Sequence, residues 1–308
     1  MKKIYLEHTN MMVDLPSIDF FLNKIENGES FQFIRANHGI FDLIYNGYRL
    51  NNNDFKYNEF KTDLDSKNYT KIAENIYKTS NTEYNKLIER WHVNSEKLVP
   101  KLELFIKVFN EYKDISDKFH IGVSLGVGLN LFWGTFHKEH HFQKGRAGVF
   151  SQFYDKTKYD YYYSGILKYL SVTDEIFKIF TTLNNYDYNV IFVGPDYMRL
   201  YKDKFKIENF HHIKIPIGGA INFVDEYIEK IKDISKTKKT IVFYSIGHIL
   251  TFYMAHQLKD ENIIGIDVGR SFDILIRDKV QSEPTLSQCW TNLNKEELKA
   301  HINRVRNG

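Results

Sequence analysis

The chain has 308 residues, with 42 Lys+Arg against 39 Asp+Glu and a formal net charge of +3. That length accommodates one large α/β domain or two smaller ones, and so balanced a charge excludes an extended basic surface for nucleic acid or an anionic membrane. A single cysteine, Cys289, excludes an internal disulfide and fits a reducing compartment.

The N-terminal residues lack the apolar core of a signal peptide, and no apolar run reaches the ~18–20 residues of a membrane span, so a cytoplasmic location is expected. Tyr (21) and Phe (24) are abundant. Alongside frequent Lys, Asn and Ile they read as coding bias and carry little functional weight.

In chain order, residues 14–27 predict a helix, with Pro16 near its start, Ile18, Phe21, Leu22 and Ile25 at helical spacing and Gly28 ending it. Residues 31–35 alternate as a strand. Asn37, His38 and Gly39 then form a turn into a short helix over 40–45. A strand, a glycine turn and a helix N-terminus present backbone N–H groups to an anion, although an ordinary βα turn carries the same residues. The Asn-rich stretch 46–68 reads as a long surface loop from which a lid would be drawn.

Three helical patterns follow: Ile72, Ile76 and Tyr77; Tyr84, Leu87, Ile88 and Trp91; Leu102, Leu104, Phe105, Val108 and Phe109. They predict a helical insertion or subdomain over 50–115 within a single domain spanning 1–308. Residues 119–125 form a buried strand leading to Gly126 and Gly128. The dinucleotide fingerprint fails there, because Leu131 stands where its third glycine belongs and no acidic strand end follows. His137, Glu139, His140 and His141 look metal-like, but the glutamate is misplaced for a zinc helix, so no metal ligand is assigned. Tyr161, Tyr162 and Tyr163 are candidates to line a groove that stacks on sugars or bases, and Thr173 is a candidate cap for the helix after it.

Residues 189–193 are a buried strand stopped by Gly194 and Pro195, with Asp196 beyond. A further strand over 211–216 precedes a helix over 223–234. Two continuous β-branched runs, Thr240–Tyr244 and Ile263–Asp267, flank an apolar helix over 249–258. This is the pattern of a βαβ unit in a parallel sheet covered on both faces. Ligands of such sheets bind outside the carboxyl ends of the strands, which places 245–248 and 267–270 at a site.

The segments VIFVGPDYMRL, IKIPIGGAINFVDEYIEKI and the turns at Ser245–Gly247 and Asp267–Gly269 resemble the GT-D-type glycosyltransferase domain. Near the N-terminus, FQFIRANHGIFDLI is similar to that family's donor-binding stretch. Together these segments cover roughly half of the chain. The resemblance implies a Rossmann-like, mostly parallel sheet with helices on both faces. It also implies transfer of a sugar from a nucleotide-sugar to a glycan or other acceptor, typically with a divalent metal. Arg35 and Gly39 match the donor stretch, but His38 and Ile40 occupy the places of the family's Asp-x-Glu pair, and Arg270 stands where it has histidine.

A carboxylate pair holds a hard cation through oxygen, which His and Ile cannot do. A weakened requirement for Mn²⁺ or Mg²⁺ is therefore expected, with arginine taking over phosphate charge. The expected donor and phosphate contacts are Arg35, Asn37, His38, Gly39, Gly194, Gly247, Gly269 and Arg270. Asp267, Asp196 and Asp42 are the candidate acceptor bases. The alternative is a non-catalytic relative that binds a sugar nucleotide or glycan.

Overall fold

The computed structural model describes residues 2–6, 11–48, 56–83, 96–111, 118–124, 149, 152–153, 161–216 and 219–276. Strands β1 (Lys2–Leu6) and β2 (Met11–Leu15) form an antiparallel hairpin, followed by α1 (Ile18–Asn27). β3 (Gln32–Asn37) runs directly into α2 (His38–Gly47). Helices α3 (Tyr57–Asp65), α4 (Tyr69–Glu83) and α5 (Leu98–Asn110) then precede β4 (Phe119–Ser124).

β5 (Tyr162–Tyr163) leads to α6 (Ile166–Val172) and α7 (Ile176–Asn185). After β6 (Asn189–Gly194) come a 3-10 turn (Asp196–Leu200), α8 (Tyr201–Phe205) and β7 (Phe210–Lys214). The described chain ends with α9 (Val224–Ser235), β8 (Thr240–Tyr244), α10 (His248–Leu258), β9 (Ile263–Asp267) and a 3-10 turn (Asp273–Leu275).

These strands form one sheet in the order β1-β2-β5-β4-β3-β9-β8-β6-β7, parallel throughout except for the β1/β2 hairpin. The pleat sorts the large side chains between two helical layers. Phe33 meets Phe21 of α1, while Phe192 and Phe243 meet Phe180 of α7. Gln32 points opposite to Phe33 and is the register partner of Phe119, which meets Phe252 of α10 on the other face.

α10 is apolar all round because it lies between layers, against β3 and β9 and also against α2, α5 and α9. Each Leu, Ile or Phe buried there stabilises the fold by roughly 1.5–3 kcal/mol. The buried strands β6, β8 and β9 and their helices lie where periodicity predicts them.

Elsewhere the structure corrects the sequence reading. Within the expected loop 46–68, residues Tyr57–Asp65 form α3, which buries Phe60 and Leu64 on one face; the charged residues between them masked that period. Tyr161, Tyr162 and Tyr163 are core side chains rather than a groove lining. Thr173 ends α6, donating its hydroxyl to Tyr169 O (3.0 Å), and Glu175 occupies the cap position of α7. The hairpin strand Met11–Leu15 takes the residues just before α1.

The pattern at Tyr84–Trp91, the glycines 126 and 128, the histidines 137–141, Gly218 and Cys289 lie outside the described residues. Among the described residues no helix is long and apolar enough to cross a membrane.

The connection leaving β6 runs outward to β7, whereas the one leaving its neighbour β8 runs the other way to β9. Diverging connections open a crevice at the carboxyl ends of the strands. Gly194 and Asp267 end their strands at this edge, Ser245 follows β8, and Arg35 lies in the second half of β3, level with the turn after β9.

Candidate active site

The turn after β9 is folded onto the end of β8, because the N–H groups of Val268 and Gly269 both donate to Tyr244 O at 3.0 Å. That brings Asp267 beside β3, where its Oδ1 accepts from Arg35 Nη2 at 2.7 Å and its Oδ2 from the Arg35 N–H at 3.4 Å. Both side chains are buried, 8% and 3% exposed. A charge-assisted bond of this length in a dry site fixes the guanidinium in one place. Gly269 is glycine for two reasons: its φ of 45° lies in the left-handed region, and a Cβ would overlap Arg35 Nη2. Arg35 Nε is buried and has no hydrogen-bond partner.

His248 opens α10 immediately after Gly247, whose φ of 85° turns the chain into the helix. Burial, reinforced by the charge of Arg35, pulls the His248 imidazole down to about 3 despite its hydrogen bond to the Arg35 main chain, so it is neutral at physiological pH.

A second carboxylate, Asp273, sits farther along the same turn and is 3% exposed. Its oxygens accept from Tyr201 Oη at 2.9 Å and from Tyr197 Oη at 3.2 Å. Burial raises its carboxyl to about 6, against the opposing pull of Arg270, the two tyrosines and Lys168. Lys168 lies on α6, which packs against the Asp273–Leu275 turn. Burial and the Arg35 charge bring its ammonium down to about 7, while Asp273 holds it up. Two buried groups shifted toward neutrality at the end of a parallel sheet make this edge the candidate site.

Of the residues expected from sequence, Arg35, Asp267, Gly269, Gly247 and Arg270 are brought to this edge. Asn37 closes β3, and His38, Gly39 and Asp42 lie in the first half of α2; the side chains of Asn37, His38 and Asp42 are outside the described part of the structure. Gly194 ends β6, packs against Met198 and Ser245, and accepts the Ile215 N–H at 3.0 Å. Asp196 stands apart from the buried cluster. It is exposed and pairs with Lys214 at 3.2 Å and Arg199 at 3.3 Å, which hold its carboxyl below the usual range.

Sequence reasoning missed Lys168, Tyr197, Tyr201 and Asp273. The i, i+4 spacing of the two tyrosines and an aspartate inside the apolar run SFDIL were the signals available.

The divalent metal implied by the family resemblance needs a set of oxygen ligands. Among the described residues no three His, Cys, Asp or Glu side chains gather to hold an ion. The two carboxylates at the edge are engaged by Arg35 and by the tyrosines. The described residues do not fit a metal, and no step below passes through one.

A mostly parallel sheet covered on both faces, with its buried charged groups gathered at the strand ends, defines a Rossmann-like α/β fold. No protein-family model matches the chain, and no curated protein does. Solved structures narrow the fold to the GT-D type. A domain of unknown function 1792, described as having a distinct glycosyltransferase fold, superposes with a TM-score of 0.50 at 12% identity, covering 91% of this chain and 89% of that one. A glycosyltransferase of the same domain type from Streptococcus sanguinis gives 0.50 at 12% identity, over 92% of this chain and 93% of its own. A selenomethionine form of the domain gives 0.51 at 12% identity, over 91% and 89%. What the chain shares with these proteins is the fold.

Proposed function

We propose that the chain is a glycosyltransferase that moves a sugar from a nucleotide-sugar donor to a glycan or other acceptor. One observation carries this reading: a glycosyltransferase fold covering nine-tenths of the chain has an arginine held rigidly by a carboxylate at its strand ends. The donor's diphosphate lies outside the carboxyl ends of β3, β8 and β9. Arg35, oriented by Asp267, acts there with Arg270, His38 and the N–H groups at Asn37, Gly39 and Gly247, while the Gly269 turn carries Arg270 and Gly194 borders the crevice. As the acceptor oxygen bonds to the anomeric carbon, the bond from that carbon to the diphosphate oxygen breaks, and the leaving group departs with the electron pair.

The acceptor proton passes to a carboxylate. Asp267 is committed to Arg35, so its part is to position that arginine, which leaves Asp196 and Asp42 as the bases to test first. Because His38 and Ile40 stand in the places of the carboxylate pair and Arg270 adds positive charge beside Arg35, the requirement for Mn²⁺ or Mg²⁺ is weak. Calorimetry in which the apo protein binds Mn²⁺ tightly, and still does after His38→Ala, would refute that expectation.

The second reading, a non-catalytic binder of sugar nucleotides or glycans, draws on the missing Asp-x-Glu pair. A thermal-shift panel of UDP- and GDP-sugars, followed by assay of donor hydrolysis with and without Mn²⁺, separates the two. Binding with slow hydrolysis supports the transferase. Binding without turnover under any acceptor supports the binder, and no binding defeats both.

A further inference from the structure

We propose that Lys168 and Arg270 form a two-cation seat for the donor's diphosphate, with buried Asp273 as their resident counter-charge, and that Lys168 takes up a proton when the diphosphate binds. This rests on the nucleotide-sugar reading above and adds to it a residue, and a proton, that neither the sequence pattern nor the fold likeness supplies.

The geometry begins with α6. It follows the short strand β5 and packs against the Asp273–Leu275 turn, so Lys168 is delivered to the same end of the sheet as Arg270. Among the described residues three cations, Arg35, Lys168 and Arg270, then share this edge with two carboxylates. Asp267 is taken by Arg35 at 2.7 Å. Asp273 accepts two tyrosine hydroxyls and sits in the field of both Lys168 and Arg270. With every group ionised, these groups among the described residues hold one positive charge in excess.

Two polar observations point the same way. Arg270 is partly exposed and has no carboxylate within ion-pair distance among the described residues, and Arg35 Nε is buried with no hydrogen-bond partner. Excess positive charge in a poorly solvated site is unfavourable until an anion compensates it. A diphosphate suits the task, with its charge spread over oxygens that match a guanidinium fork and an ammonium point charge.

The proton follows from the same neighbours. Arg35 on β3 repels the Lys168 ammonium and Asp273 after β9 attracts it, and with burial these bring it to about 7. Among the described residues, the other titratable groups at this edge change little above pH 7. His248 of α10, at about 3, is already neutral, Tyr163 of β5 is raised to about 12, and burial raises Tyr201 well above its ordinary value. Asp273, at about 6, is mostly ionised. An arriving dianion reverses the local field and draws the ammonium's proton back on.

The test is calorimetric titration of the full chain with UDP-glucose, UDP-galactose, UDP-N-acetylglucosamine and GDP-mannose, whose bridged diphosphates do not titrate near neutrality. Runs span pH 6.5 to 8.5 in buffers of differing ionisation enthalpy. Wild-type affinity should fall with pH above 7, approaching about tenfold per pH unit, with up to about one proton taken up per ligand bound. Lys168→Arg, which keeps its charge at every pH, should bind within about threefold of wild type at pH 6.5 and show neither pH dependence nor proton uptake above pH 7, where Asp273 has finished titrating. Lys168→Met should bind at least about tenfold more weakly at pH 6.5 and be equally flat.

Wild-type binding without proton uptake, or pH dependence that persists unchanged in Lys168→Arg, overturns the seat and leaves the transferase reading intact. Failure of the wild type to bind any of the four overturns both. Should a variant not fold, the wild-type proton uptake decides alone.

Discussion

Asp267 and Asp273 lie six residues apart on one turn, and both are buried, yet their surroundings give them different work. Asp267 ends a strand and meets a guanidinium that is itself buried, so its charge is matched at 2.7 Å. Asp273 meets tyrosine hydroxyls, which donate hydrogen bonds but bring no charge, and its cations stand farther off. The first carboxylate is a fixed anchor; the second titrates near neutrality. The kind of donor that reaches a buried carboxylate, rather than its burial alone, separates a structural anion from a responsive one.

The largest effect is expected from breaking the anchored pair. Arg35→Met should cost about 3–5 kcal/mol in urea unfolding, because it leaves Asp267 buried and unmatched. A loss under about 1 kcal/mol would mean that the two regions differ less than their geometry indicates.

Next comes the responsive carboxylate. A folded Asp273 at about 6 against an ordinary 3.8 binds the proton more tightly than the unfolded chain does. Its contribution is therefore complete below pH 4 and lost as pH rises through 6, an effect of about 3 kcal/mol. Asp273→Asn still accepts the tyrosine hydroxyls and does not titrate. The stability difference between variant and wild type should therefore move in the variant's favour between pH 4 and 7, and a difference constant with pH would show that Asp273 does not titrate there.

Tyr201→Phe removes the shorter of the two donors and should lose about 1–2 kcal/mol. Because that hydroxyl holds the Asp273 carboxyl down, the pH window should move upward in the variant, measured by the same denaturation series. An unmoved window would assign the restraint to Arg270 and Lys168 instead. Smallest of all, Asp196→Ala breaks only exposed pairs with Lys214 and Arg199, and the melting temperature should stay where it was. A drop there would mean that the end of β6 depends on those pairs for its position.

The sequence by itself determined the scaffold. Val190–Val193, Thr240–Tyr244 and Ile263–Asp267 are so continuously apolar that only strands covered on both faces can bury them. Parallel strands, in turn, deliver Arg35, Gly247 and the residues 267–270 to one edge. Where polar and charged residues interrupt the period, as at Lys61, Thr62 and Asp63 in α3, the pattern misled, since only packing reveals that Phe60 and Leu64 share a face.

Tertiary structure alone decided the roles within the edge. No spacing could announce that Asp267 would be matched by an arginine 232 residues away, or that Tyr197 and Tyr201 would close on Asp273. Nor could it place Lys168 on a helix that packs against that turn. Burial and partner identity set the charge state of such groups, and both are properties of contacts between distant segments rather than of local pattern.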